Sequence, residues 1–243
     1  MKKNYRICDE AVAKRVKKMV DLRDEFIRNG VENLHVKLME GNDKTGVDCY
    51  TVSLIPIADC HNCEKCKNEC YDIRNDCIYP GVIESRAINS AIHKVDPERY
   101  WYEIGEEIER LFVKELRVNV GGDLRYVDFK EIGKMGEKHE SCEDLFFTKV
   151  YDECNQYISE NIHRYPNNFG FPHNVHPLYS RWLGVPCENP YGVPESHVLW
   201  PDGRTTAPEF GSYFCKGNCS NCFDFNEGCP RLKKDESVCF KAH

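Results

Sequence analysis

The fold is decided by a strand-like segment that leads into a cysteine loop, Tyr50-Thr51-Val52-Ser53-Leu54-Ile55-Pro56-Ile57 followed by residues 59–71. The first part is rich in β-branched and apolar side chains, which favours a buried β-strand. The loop carries four cysteines, Cys60, Cys63, Cys66 and Cys70. Charged residues lie between them, and because charged side chains are rarely buried, these cysteines are not ordinary core residues. In parallel β/α folds, functional side chains follow the carboxyl ends of strands, so this loop is a candidate site.

Helices and strands alternate after this unit. Apolar periodicity predicts helices over residues 11–29, 84–94, 97–112, 128–138 and 151–163, with Gly30 ending the first, Asp96 capping the third and Asp128 capping the fourth. Strands are predicted over residues 116–120 and 145–150, and further candidates lie at 176–182 and 197–200. Strands joined by helical crossovers run parallel, so we expect an α/β fold, a partial (β/α) barrel of about five to six parallel strands. Residues 1–202 would form this barrel, and residues 203–243 an irregular, cysteine-rich, metal-binding tail.

Cysteine usage excludes a disulfide scaffold. The chain has 15 cysteines in 243 residues, an odd number, and no apolar stretch follows its basic first residues as it would in a secretory signal. We find no run of about 18 apolar residues, so no membrane span is expected. The formal net charge of −7 argues against nucleic-acid binding through bulk charge. These features predict a cytoplasmic protein whose thiols stay reduced.

Spacing within the first loop is C-x2-C-x2-C-x3-C, from Cys60 to Cys70. Such short spacings let several thiolates converge on one metal centre. Iron–sulfur clusters use closely similar runs, so both a [4Fe–4S] cluster and Zn²⁺ are possible here.

A second cysteine group lies in the tail with the spacing C-x3-C-x2-C-x6-C, at Cys215, Cys219, Cys222 and Cys229. Glycine and asparagine between these cysteines allow the backbone to wrap a centre and direct its amides at sulfur. This pattern predicts a second metal site. A zinc knuckle that only staples the tail is the alternative to an iron–sulfur cluster.

Two more strands end in polar motifs. Gly121-Gly122-Asp123 follows the second strand and Thr148-Lys149 ends the third. Because the carboxyl ends of parallel strands share one edge, both motifs should lie beside the first cysteine loop. Taken alone, the glycine motif is more typical of a turn that ends a strand and leads into a helix, and its place beside the cysteine loop is what favours a functional role.

The order of strand, cysteine loop, helix, strand and Gly-Gly-acid motif resembles the radical S-adenosylmethionine barrel enzymes. In that family, cysteines after the first strand hold a [4Fe–4S] cluster, and a Gly-Gly-Glu-Pro motif after the second strand contacts the methionine amine. Gly121-Gly122-Asp123 takes that place here, with Asp123 for Glu and Leu124 for Pro. The family's C-x3-C-x2-C spacing occurs in this chain at Cys215, Cys219 and Cys222, in the tail.

Nearly the whole chain also looks similar to the uncharacterised phage gene-product-eighty-eight family. The shared motifs lie at residues 66–71, 86–89, 117–123, 147–149, 179–182 and 189–191, and in the cysteine- and glycine-rich tail that ends at His243. This resemblance implies that Cys60, Cys66 and Cys70 form the core ligand set, with Cys63 as an addition. The family name implies no settled activity.

The first functional hypothesis is an iron–sulfur enzyme of unknown substrate. Three of the first-loop cysteines would hold a cluster with one open iron, for which S-adenosylmethionine is the natural partner. The resemblance places Asn119, Gly121, Gly122 and Asp123 at this cofactor, with Asp123 on its amine. Asp123, Lys149 and Arg181 are the predicted catalytic residues, and the tail would hold an auxiliary cluster.

The second hypothesis is a non-enzymatic binding module, stapled by zinc or a cluster, that acts on nucleic acid or a host protein. The tail offers basic residues beside aromatic rings, at Lys216, Arg231, Lys233, Lys234 and Lys241 and at Phe223, Phe225 and Phe240. Such a patch could grip a nucleic-acid backbone and stack bases. Interleaved acidic residues make an ordinary solvated surface the simpler interpretation.

Overall fold

The strand that precedes the cysteine loop is the edge strand of one parallel sheet. The structure is a computed structural model that describes residues 7–41, 45–61, 63–75, 77–208, 212–224 and 227–242. Its strands are β1 Cys49–Val52, β2 Glu115–Val118, β3 Glu143–Thr148, β4 Val175–Ser180, β5 Glu195–Leu199, β6 Ser212–Phe214 and β7 Ser237–Lys241. They form a seven-stranded sheet in the order β1-β2-β3-β4-β5-β7-β6, and every neighbouring pair is parallel.

Helices connect most of these strands. They are α1 Asp9–Asn29, α2 Tyr71–Asn75, α3 Pro80–Val95, α4 Pro97–Leu111, α5 Tyr126–Lys138, α6 Tyr151–Asn161 and α7 Cys219–Asp224. Short 3-10 helices occur at Cys63–Lys65, Lys67–Glu69 and Cys229–Arg231. In the part of the chain that the structure describes, no helix is long and apolar enough to cross a membrane.

Alternation along the strands separates two faces of the sheet. On β2, Leu116 and Val118 are fully buried in the main core, where they meet apolar residues of α3, α4, α5 and α6. Arg117, between them, faces the other side and lines a cavity. This two-residue period is the expected geometry of a strand. One face of the sheet is therefore covered by helices, and the other faces the site.

The tail contributes directly to this sheet. Strand β7 inserts between β5 and β6, and Val238 of β7 packs in an apolar cluster with Leu145 of β3 and Phe223 of α7. The expected count of five to six strands is therefore wrong, because the described residues form seven. The tail that we expected to be irregular holds β6, α7 and β7 within its described residues.

Of the three helix-end residues predicted from the sequence, Gly30, Asp96 and Asp128, the first two are confirmed. Gly30 ends α1 with a φ of 89°, and Asp96 caps α4 by accepting a hydrogen bond from Arg99 N at 2.9 Å. Asp128 was the wrong choice for the cap of α5, which begins after Arg125. The Asp128 carboxylate lies one turn into the helix, where it accepts from Arg125 N, Trp101 Nε1 and His93 Nε2, each at 2.7 Å.

Candidate functional site

The first cysteine loop lies at the carboxyl edge of the sheet, as predicted. It is attached to the second strand by Asp123 N, which donates to Asp59 O at 2.9 Å, and to the fourth by Trp182 Nε1, which donates to Lys65 O at 3.2 Å. Backbone bonds within the loop, such as Cys66 N to Cys63 O at 3.1 Å, wind it into two short 3-10 helices. The loop therefore closes over the ends of several strands.

The four thiols of this loop form one group. Cys63 Sγ lies 3.9 Å from Cys66 Sγ, and the Cys63 side chain also hydrogen-bonds to Cys60. The hydrogen bond with Cys63 lowers the pKa of Cys66, and the positive charge of Lys149 lowers it further. Burial raises the pKa of Cys70 to about 12, and Asp72, Cys60 and Cys66 contribute to this rise. Cys70 is thus close enough to interact electrostatically with the thiols of Cys60 and Cys66.

These donors suit a soft metal centre. Two thiolates on one tetrahedral zinc, each at about 2.3 Å, lie about 3.8 Å apart, which is close to the Cys63–Cys66 separation. Across the residues that the structure describes, however, no three His, Cys, Asp or Glu side chains are arranged as ligands of a single ion. The chemistry of the donors fits a thiolate-bound centre, and the loop would have to tighten around it.

Asp123 and Lys149 come together beside the first loop. Asp123 Oδ1 accepts from Thr148 Oγ1 at 2.6 Å and from Leu124 N at 2.8 Å, and Oδ2 accepts from Lys149 N at 3.0 Å. Burial raises the pKa of Asp123. Burial lowers the pKa of Lys149, but the charges of Cys66, Asp123 and Cys60 outweigh this effect and raise it overall. The Lys149 ammonium therefore stays charged among the thiols.

Both glycines of the Gly-Gly-acid motif are required by packing. A Cβ atom on Gly121 would lie 2.0 Å from Arg86 Nη1 and 2.1 Å from Asp72 Oδ2, so the chain must pass very close to this buried ion pair. Gly122 has a φ of 83°, and a Cβ there would lie 2.6 Å from Leu54 Cβ. Only Gly122 of the two lines the cavity. The motif thus has a structural role, whether or not it also contacts a cofactor.

Asn119 has the clearest signature of a ligand-binding residue. It is 6% exposed, and neither its Nδ2 nor its Oδ1 has a hydrogen-bond partner in the described structure. Its φ of 53° ends β2 in a left-handed conformation, and its side chain lines the cavity. Unsatisfied buried amides are costly, so they mark places where a partner is expected to bind.

Arg181 does not join this group. Its Nη1 donates to Cys187 O at 3.2 Å and lies 3.6 Å from Glu195 Oε1. Among the described residues that line the cavity, Arg181 is absent, whereas its neighbours Ser180 and Trp182 are present. The structure therefore brings Asn119, Asp123 and Lys149 together without Arg181.

The tail thiols lie on the side of the sheet that faces the cavity. Cys215 and Cys219 line the cavity, while Cys222 and Cys229 are buried behind them. Cys229 interacts electrostatically with Cys215, Cys219 and Cys222, and burial together with these charges raises its pKa. All four predicted ligands of the second centre therefore lie near one another.

One cavity of about 490 Å³ connects the two cysteine groups. Its lining includes the thiols of Cys66, Cys70, Cys215 and Cys219. Trp182 and Trp200 form part of its wall and meet edge to face, with ring centroids 5.0 Å apart. A space of this size is typical of small-molecule sites with apolar walls and a few polar groups.

Arg117 is the most important cavity residue that we did not predict. Its guanidinium carbon lies 4.9 Å above the Phe147 ring, and Nη1 donates to Cys219 Sγ at 3.8 Å. Its Nε has no partner in the described structure. Successive side chains of a strand point to opposite faces of the sheet. Because Leu116 and Val118 are apolar and face the core, the sequence could have indicated that Arg117 faces the site.

The remaining question is whether known proteins identify this site. Comparisons with family models, with curated proteins and with solved structures give no significant match to the chain. The function must therefore be inferred from the residues that surround the cavity.

Proposed function

We propose that this protein is an iron–sulfur enzyme with the organisation of a radical S-adenosylmethionine barrel, related to the phage gene-product-eighty-eight family. Curvature of the sheet supports the barrel. Phe147 of β3 meets Phe240 of β7 edge to face at 5.9 Å, although β4 and β5 lie between these strands in the sheet. Two strands that are not neighbours can touch in this way only if the sheet curls toward its concave side. We infer that the seven strands form part of a (β/α) barrel.

The observation that carries the proposal is the cavity, which both cysteine groups and the unsatisfied Asn119 amide share. A structural metal knuckle has no need of an adjoining cavity or of an orphaned buried amide. An enzyme needs both, because a substrate must reach the reactive centre and be oriented there. We therefore favour a catalytic role over a purely structural one.

Cys60, Cys66 and Cys70 would hold the first cluster, with Cys63 close enough to serve as a fourth ligand. A cluster with an open iron supplies electrons to a bound small molecule. Lys149 lies beside these thiols and would balance their negative charge, while Asn119 would orient the ligand by donating and accepting hydrogen bonds. The Asp123 carboxylate already accepts three hydrogen bonds, so we expect it to position Lys149 at least as much as it binds a ligand.

The test is anaerobic purification followed by measurement of iron, acid-labile sulfide and zinc. We expect iron and sulfide in the wild type and a marked loss of both in Cys66→Ala. The matched control is Cys154→Ala, because Cys154 is also fully buried but lies in α6, within the helical core. The reduced wild type should then cleave S-adenosylmethionine to 5′-deoxyadenosine, and Cys66→Ala should not.

Two results would contradict the proposal in different ways. A colourless wild type with stoichiometric zinc and no sulfide would exclude the iron–sulfur centre. A protein that contains the cluster but leaves S-adenosylmethionine intact would exclude the radical chemistry and retain the cluster.

Zinc is the second candidate, and one distance favours it. The Cys63–Cys66 separation of 3.9 Å fits two thiolates on a single ion, whereas in a cubane cluster each thiolate binds a different iron. This would make the protein a zinc-stapled binding module. A nucleic-acid partner gains little support, because Phe223 is buried and Phe240 packs on Phe147, while Phe225 lies outside the described residues.

A further inference from the structure

The second thiol group contains one cysteine that its sequence spacing does not include. Cys49, the first residue of β1, is fully buried; its thiol donates to Tyr50 O at 3.8 Å, and its side chain lies within interaction distance of that of Cys219. It shares an apolar cluster with Cys229, against which Cys215 and Cys219 also pack. Cys49 thus lies beside the tail cysteines in space, although it precedes the first of them, Cys215, by 166 residues in the sequence.

Backbone contacts bring the segment before β1 close to α7 of the tail. Just before β1, Thr45 O accepts a hydrogen bond from Ser220 N at 2.9 Å, which ties the start of α7 to the start of the strand. Gly46 has a φ of 90°, and a Cβ atom there would lie 2.2 Å from Ser220 Oγ. The main chain therefore holds the start of α7 close to the start of β1, and with it Cys219 close to Cys49.

Arg117 places a positive charge beside the same thiols. No carboxylate lies within ion-pair distance of its guanidinium among the residues that the structure describes, and the sulfur of Cys219 is its hydrogen-bond acceptor. Its strongest electrostatic partners are Cys219, Cys49 and Cys229. A half-buried guanidinium that lines a cavity is stabilised by an anionic partner, which a thiolate-bound metal centre would supply.

Other buried cysteines lack such surroundings. Cys142 donates to Asp144 Oδ1 at 3.4 Å, and Cys154 lies beside Tyr179. Both are fully buried, as Cys49 is, but neither interacts with a second thiol within the part of the chain that the structure describes. Burial alone therefore does not distinguish Cys49, whereas its contact with Cys219 does.

We propose that Cys49 is a metal ligand of the second thiol centre, together with Cys215, Cys219 and Cys229 of the tail. The centre would then join the first strand of the sheet to its last helix and strand. This inference rests on the second metal centre of the proposed function, and it adds a ligand that the C-x3-C-x2-C-x6-C pattern omits.

The test is titration of the reduced, metal-free full chain with Co²⁺, followed by thiolate-to-cobalt absorption. We expect wild type and the control Cys154→Ser to bind two equivalents. In Cys49→Ser, the second equivalent should bind more than about tenfold more weakly, since even outer-shell changes reach that magnitude, and its charge-transfer band should weaken. Cys49→Ser with the full affinity and band of the wild type would overturn the assignment of Cys49 alone. A wild type that binds one equivalent of cobalt or none would overturn the second centre itself, and the iron, sulfide and zinc measurement tests the first centre separately.

A measurement on the wild type guards against misfolding of the variant. When the protein is loaded with ¹¹³Cd, a proton–cadmium correlation spectrum reports which cysteine β-protons couple to the metal. We expect a signal from Cys49 and none from Cys154. A spectrum in which the tail cysteines couple and Cys49 does not would refute the proposal.

Discussion

Thr148 Oγ1 donates a 2.6 Å hydrogen bond to Asp123 Oδ1 and thereby joins the ends of two neighbouring strands. The same carboxylate accepts from the main-chain amides of Leu124 and Lys149. It is 5% exposed, so water cannot replace these bonds at low cost. Asp123 therefore fixes the backbone from which Lys149 reaches the first thiol group.

Asp123→Asn tests this role. The new amide nitrogen cannot accept a hydrogen bond, so one buried donor loses its partner, and we expect a loss of about 1–3 kcal/mol in the free energy of unfolding. Urea denaturation measures it. The control Asp152→Asn changes an exposed carboxylate at the start of α6 and should stay within about 0.5 kcal/mol of wild type. Equal stability of the two variants would contradict the structural role of Asp123.

The Gly121–Arg86 contact gives a second prediction. A methyl group at Gly121 would overlap the guanidinium, which is held by its 2.5 Å hydrogen bond to Asp72 and cannot move away freely. We expect Gly121→Ala to destabilise the protein by about 1–3 kcal/mol, as overpacking usually does.

Thermal and urea unfolding would measure this loss against a matched glycine. Gly81 lies in α3, and a Cβ atom there would meet nothing within 4 Å. Gly81→Ala should therefore be neutral or slightly stabilising, because alanine favours helix more than glycine does. If Gly121→Ala were equally harmless, the glycine motif would not be needed for packing.

These contacts show how far sequence could predict the fold. The strand β1, the helix α4 capped by Asp96 and the parallel order of β1 to β5 follow from local patterns of apolar residues and caps. The strands of the tail do not, because β6 is three residues long and gains its stability from pairing with β7. The predicted cap at Asp128 was wrong for a related reason. Its carboxylate accepts hydrogen bonds from His93 and Trp101, and these tertiary contacts cannot be predicted from the local sequence.

The candidate site was predictable to a similar degree. Cysteine spacing predicts eight thiol ligands, because ligands that share a loop are close in sequence, and the structure places the thiols within each group near one another. Cys49 and Arg117 lie far from the tail in sequence, and only tertiary contacts bring them to Cys219.

Asn119 yields the third prediction, in which stability and function change in opposite directions. Glycine adopts a φ of 53° without strain and removes two unsatisfied polar atoms. We therefore expect Asn119→Gly to be at least as stable as wild type, with a gain of up to roughly 1 kcal/mol, and to lose ligand binding.

A second buried asparagine provides the contrast. Asn174 Nδ2 donates to the carbonyl oxygens of Gly136, His139 and Cys142, at 3.2, 3.2 and 2.8 Å. Asn174→Ala should therefore cost at least roughly 2 kcal/mol, measured by urea unfolding. A comparable loss in Asn119→Gly would show that Asn119 serves the fold and would contradict its assignment to the ligand.

The fourth prediction concerns the pH dependence of stability. Burial raises the pKa of Asp144 to about 8, from 3.8 for an ordinary aspartate. Between these values the folded state keeps a proton that the unfolded state has lost. Stability from this group is thus complete at low pH, declines as the pH rises from about 4, and is lost above about 8.

Asp144→Asn removes this titration while it keeps the shape of the side chain. We expect the wild type to lose stability relative to the variant by up to about 1.4 kcal/mol per pH unit between about pH 4 and 8, with no further change above that range. Urea unfolding at a series of pH values measures the difference, and the control Asp152→Asn, which keeps Asp144, should show the same decline with pH as the wild type. A difference between wild type and Asp144→Asn that stays constant with pH would mean that Asp144 is ionised in the folded protein. In that case the Cys142 thiol, which donates to Oδ1, would have to stabilise a buried charge that desolvation strongly disfavours.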